Sequence, residues 1–130
     1  MVEVTGQIKQ AHYKTIISNG RHESIADEPE NNGGTDFGFE PVEILCSSLA
    51  ACTCITLQMY AERKKWNLTG VKTRVMLTGN DEKNISNIQR EIELTGDFSD
   101  EQRERLLHVA NHCPVHKILR SSIEIETKLS

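Results

Sequence analysis

The sequence predicts an α+β domain with a mainly antiparallel sheet, and three observations carry that expectation. Strand-like alternation is grouped at the beginning, the middle and the end of the chain instead of taking turns with helices. One long run, Pro41 to Ala61, holds a single charge, Glu43. A second, amphipathic segment follows a capping signal at Ser99 and Gln102. Strands gathered around two helices point to segregated elements and not to a wound parallel sheet. At 130 residues and 14.7 kDa the chain fits a single domain, residues 1–130, with one core.

Residues Val2 to Ile25 alternate loosely, with Ser18-Asn19-Gly20 as a turn, and read as two or three antiparallel strands. Asp27 to Gly38 collects Pro, Asn, Gly and acidic residues without periodicity and reads as a loop. Pro41 has no amide hydrogen to waste in a first helical turn, so the helix is expected to begin there and to end near Glu62-Arg63-Lys64-Lys65. With Glu43 its only charge before Ala61, this helix has no wet face. It needs cover nearly all round, from a sheet and from a second subunit.

Val71, Thr73, Val75 and Leu77, then Ile88, Ile92 and Leu94, flank the turn-like Gly79-Asn80-Asp81 and predict a hairpin. Leu106, Leu107, Val109 and Ala110 give the second helix one apolar stripe, and Pro114 should end or bend it. Ile123, Ile125, Thr127 and Leu129, alternating with polar residues, predict a final half-buried strand. The expected order is βββ-α-ββ-α-β.

A formal net charge of -4 and a pI of 5.7 give no electrostatic reason to expect nucleic acid or an anionic membrane as partner. The uncharged run Ile44 to Ala61 reaches membrane-spanning length, but Ser47, Ser48, Thr53, Thr56 and Gln58 interrupt it, and a buried helix explains it better. The polar stretch Met1 to Gln10 lacks the apolar block of a signal peptide, so a cytoplasmic protein is expected. In that reducing compartment the four cysteines, Cys46, Cys52, Cys54 and Cys113, should rest as thiols.

Two of these cysteines are candidates for chemistry. Cys113 precedes Pro114, which would place it at a helix N-cap, where unpaired amides and the helix dipole favour a thiolate. It reads equally as a small cap residue. Cys52, among Ala50, Ala51, Ile55 and Leu57, reads as inert packing unless a nearby cation offsets burial. Cys46 and Cys54 look like core filler. Zinc held by Cys52, Cys54, His112, Cys113 and His116 is a rival use of the same side chains. The spacing is poor for it, because Cys52 and Cys54 leave a helix about 200° apart. No resident metal or cofactor is expected. Glu43 reads either as a catalytic carboxylate or as a complement to the helix dipole, and Arg21 either as a ligand or as solvated surface.

Pro41-x-Glu43-x-Leu45, Leu49-Ala50-Ala51-Cys52-Thr53 and Met59-Tyr60-Ala61 together resemble the first cysteine motif of the OsmC/Ohr proteins. Cys113-Pro114-Val115-His116 resembles their second. Asp27-Glu28-Pro29, Gly33-Gly34 and Asp100-Glu101-Gln102-Arg103 are similar too, so the likeness spans most of the chain. Family members of the hydroperoxide-resistance type carry a glutamate directly after the motif proline, paired with an arginine from the N-terminal strands. Here that position is Val42, Glu43 follows it as in an OsmC-like subgroup, and Arg21 is the positional match for the arginine.

The resemblance implies an intertwined homodimer with long central helices inside wrapping sheets. It implies that Cys52 is the peroxidatic thiol attacking an organic hydroperoxide, that Cys113 resolves it as a disulfide, and that an external dithiol or lipoyl-type reductant restores both. Such activity requires about 3 kcal/mol of preferential thiolate stabilisation to lower a thiol by two pKa units. The alternative is a non-catalytic protein of the same fold that binds a small apolar or sulfur-containing ligand at the dimer interface, which Val42 favours.

Overall fold

The computed structural model describes residues 1–9 and 12–130. Gln10 and Ala11, which the reading of strands over residues 2–25 includes, lie outside the described residues. Two compact units can be separated, Met1–Leu45 and Cys46–Ser130.

In the first unit the loose alternation produces three strands, β1 (Thr5–Gln7), β2 (Thr15–Ser18) and β3 (Glu23–Ala26), in one antiparallel sheet of order β1-β2-β3. The β2–β3 turn uses the side chain of Asn19, whose Oδ1 accepts from the amides of Arg21 and His22, as an Asx turn does. The loop that follows is built around Asp27, which is 2% exposed. Its carboxylate accepts from the amides of Glu28 and Phe37 and from the Thr35 hydroxyl. Those donors, the Thr35 hydroxyl foremost, hold its pKa at about 2. Gly34 is required in this loop because a Cβ there would run into the carbonyl of Glu28.

Helix α1 (Pro41–Lys64) begins at the proline that the sequence marks. In the second unit follow β4 (Asn67–Asn80) and β5 (Ile85–Asp97), an antiparallel hairpin, then α2 (Asp100–Ala110) and α3 (Pro114–Arg120). The capping box at Ser99 and Gln102 forms with both hydrogen bonds present. The core of this unit joins Leu57, Tyr60 and Ala61 of α1 to Leu68, Leu106 and Ala110. Val71, Ile92 and Leu94 of the hairpin pack against it.

The structure corrects the sequence reading at the C-terminus. No strand forms over residues 122–130, and Ile125 and Leu129 are 84% and 100% exposed. Alternation fixes which face a strand would bury, but the strand itself needs a pairing partner, and among the described residues this segment pairs with neither sheet. The cover of α1 is likewise one-sided within the chain. Leu49, Thr53, Leu57, Tyr60 and Ala61 are buried, whereas Val42, Ile55 and Met59 are more than half exposed. By length and composition α1 is the single helix among the described residues that could cross a membrane; one face of it instead forms the core described above.

Two stability measurements check this description. Leu57→Ala removes a side chain with no exposed surface and should cost about 2–5 kcal/mol in urea denaturation. Asp27 has its pKa depressed, so its contribution is full above the unfolded value of 3.8 and is lost as pH falls through about 2. Asp27→Asn should therefore lower stability at neutral pH and flatten its fall between pH 4 and 2.

Candidate functional site

The site begins with an interruption in a strand. On β5 the half-buried positions are Ile88, Arg90, Ile92 and Leu94, alternating with exposed Gln89, Glu91 and Glu93. A two-residue period sends all four side chains to one face, so the guanidinium of Arg90 is carried inward among aliphatic neighbours. There it meets three neutral acceptors. One terminal nitrogen donates to Thr53 Oγ1 at 3.1 Å. The other donates to Asn111 Oδ1 at 2.9 Å and meets His116 Nδ1 at 3.1 Å.

Two of the three acceptors adjoin a candidate cysteine. Thr53 follows Cys52 in α1; it is fully buried, and its hydroxyl donates to the Leu49 carbonyl at 2.7 Å. Cys52 is half-buried, with Sγ 3.9 Å from Thr56 Oγ1. Asn111 ends α2, and His116 lies in the first turn of α3. The His116 amide donates to Cys113 Sγ at 3.4 Å. Cys113 is thus the N-cap of α3, with Pro114 next to it, as the sequence leads one to expect. It has no exposed surface. All four cysteines are free thiols.

His116 is held neutral. Burial pushes its pKa down, and the charges of Arg90 and Arg120 and the neighbouring His112 push the same way. With Nδ1 facing an Arg90 donor, the ring proton belongs on Nε2. Arg90 and His116 also wall an open cleft of about 560 Å³, together with Leu49, Ile88, Asn111 and Arg120.

The other candidates are placed as follows. Glu43 caps α1, its carboxylate accepting from the Glu40 amide at 2.9 Å, which is half of a capping box. Arg21 lies exposed in the β2–β3 turn of the first unit. Cys54 points to the hairpin, with Sγ 3.3 Å from Thr73 Oγ1. Among the described residues no three His, Cys, Asp or Glu side chains gather closely enough to hold a metal ion. Sequence reasoning passed over Arg90, although its signal was present: the alternation Ile88, Ile92, Leu94 skips the one position that carries a charge.

A measurement follows from the neutral imidazole. A depressed histidine pKa leaves stability full above the unfolded value of 6.5 and lowers it as pH falls through the folded value. His116→Gln, which keeps a carbonyl acceptor for Arg90, should flatten the decline in thermal midpoint below pH 6.5.

The same architecture recurs in known proteins. The OsmC-like protein from Mycoplasma pneumoniae is 21% identical over 92% of this chain and 87% of its own, with a TM-score of 0.77. The organic hydroperoxide resistance protein OhrB of Bacillus subtilis is 20% identical over 92% and 90%, with a TM-score of 0.62. An organic hydroperoxide resistance protein from Elizabethkingia anophelis, solved with crystallant-derived thiocyanate bound, is 18% identical over 95% and 91%, with a TM-score of 0.66. No curated protein matches the chain. A model of the OsmC-like protein family matches residues 32–128. This α+β arrangement of antiparallel sheets and helices is therefore the OsmC fold, and the chain belongs to the OsmC-like protein family.

Proposed function

We propose that this protein reduces organic hydroperoxides with Cys52 as the peroxidatic thiol and Cys113 as the resolving thiol. The observation that carries the reading is the Arg90 fork, which joins the helical turn after Cys52 to the turn capped by Cys113. In the first step the Cys52 thiolate attacks the distal peroxide oxygen. An S–O bond forms, the O–O bond breaks with two electrons passing from sulfur to peroxide, and the alkoxide leaves as the alcohol after taking a proton. Cys113 then attacks the sulfenic sulfur, an S–S bond forms, and hydroxide departs with the Cys113 proton as water. An external dithiol or lipoyl-type reductant returns both thiols.

A second copy of the chain belongs to this reading. Cys52 lies on α1 three residues from Ile55 and seven from Met59, so these share one stripe of the helix. Ile55 and Met59 are 58% and 64% exposed. A soluble chain gains by covering such a stripe, and a homodimer does so while enclosing Cys52 in an apolar setting. That setting favours organic over hydrogen peroxide. Glu43 and Arg21 are proposed to serve as the family's carboxylate and arginine, with Glu43 retaining its capping bond.

Two tests address the reading. Cys52→Ser should abolish dithiol-dependent consumption of cumene hydroperoxide; turnover at the parental rate would overturn the assignment of Cys52, and absence of turnover in the parent protein would leave a ligand-binding member of the fold instead. Met59→Glu should halve the mass measured by light scattering and depress peroxidase activity at least tenfold, because a charge on that stripe opposes association.

A further inference from the structure

We infer that Arg90 is a positioning residue for the second redox step: its three-way fork holds the Cys113 turn against the Cys52 helix, so disulfide formation depends on it and sulfenic acid formation does not. The inference rests on the peroxidase reading of the two cysteines. Four observations support it. The fork emerges from a strand, a rigid element, at an inward position where a charge costs burial energy that an aliphatic residue would not incur. Its acceptors come from three other places in the chain: Thr53 on α1, Asn111 after α2 and His116 on α3. Two of them adjoin candidate cysteines, Thr53 in sequence to Cys52 and His116 through its amide to Cys113 Sγ. All three are neutral, so the guanidinium serves them by geometry and not by ion pairing.

The chemical consequence is specific. Attack of peroxide on Cys52 needs the helix and the incoming substrate. Resolution needs the Cys113 sulfur brought to the sulfenic sulfur, with Cβ atoms finally about 3.8 Å apart. A fully buried Cys113 has no freedom to find its partner from a loosened turn. Misplacement on the order of 1 Å costs about a hundredfold in an oriented reaction.

The experiment compares the two steps in the same samples. Wild type, Arg90→Met and Arg90→Lys are each treated with one equivalent of cumene hydroperoxide below their unfolding transitions. Cys52 sulfenic acid is counted by dimedone trapping and mass spectrometry, and the Cys52–Cys113 disulfide by quenched-flow alkylation. Arg90→Met should form sulfenic acid within threefold of the wild-type rate and the disulfide at least tenfold more slowly, with Cys52 sulfinic acid accumulating under excess peroxide. Arg90→Lys, which keeps the charge but not the planar fork, should restore the disulfide rate only in part. A disulfide rate in Arg90→Met equal to wild type, or full recovery in Arg90→Lys, overturns the inference. Should Arg90→Met not fold, Thr53→Val removes the α1 acceptor at constant volume, and an unchanged disulfide rate there overturns the inference equally. Absence of Cys52 sulfenic acid in wild type would instead remove the peroxidase reading itself.

Discussion

One half-buried cation organises the second unit of this protein. A guanidinium carried inward on β5 loses part of its hydration and gains from acceptors that replace it. It finds a helix hydroxyl, a side-chain amide and a neutral imidazole, each from a different element. The demand acts in both directions. Thr53 gains a donor that lets its hydroxyl be fully buried, and the positive charge beside His116 helps keep that ring neutral and able to accept. The arrangement is a short polar network, and among the described residues no buried side-chain nitrogen or oxygen lacks a partner, which is the condition under which such networks rigidify a core.

Around that cation the two cysteines stand in unlike settings for physical reasons. Cys113 caps a helix whose first residue is proline, and its sulfur accepts an amide that would otherwise be unpaired. Cys52 lies on the flank of α1 between the buried stripe of Leu49, Thr53 and Leu57 and the exposed stripe of Ile55 and Met59. It therefore borders the face that the chain by itself leaves uncovered.

The first unit obeys a different economy. Its sheet is small, and the loop behind it is ordered by one carboxylate with donors from Glu28, Thr35 and Phe37. Charge-assisted hydrogen bonds of this kind can replace an apolar core where few large side chains are present. Composition announced the loop, through its Pro, Asn and Gly residues. Which of its several acidic side chains would turn inward was not written in composition, because that depends on the path of the backbone around it.

The sequence by itself determined the elements whose signals are local. Pro41 started α1, Ser99 and Gln102 capped α2, Pro114 separated α3 and made Cys113 its N-cap, and alternation drew the β4–β5 hairpin, because each depends only on residues within a turn or a strand of one another. The resemblance of the two cysteine motifs carried the family as well. Tertiary structure decided the rest. It alone brought Arg90, Thr53, Asn111 and His116 into one cluster, since these residues lie on separate elements and no periodicity relates them. It also left the alternating tail from Ile123 to Leu129 unpaired, because a strand is a relation between two segments, and the pattern of one segment cannot supply the other.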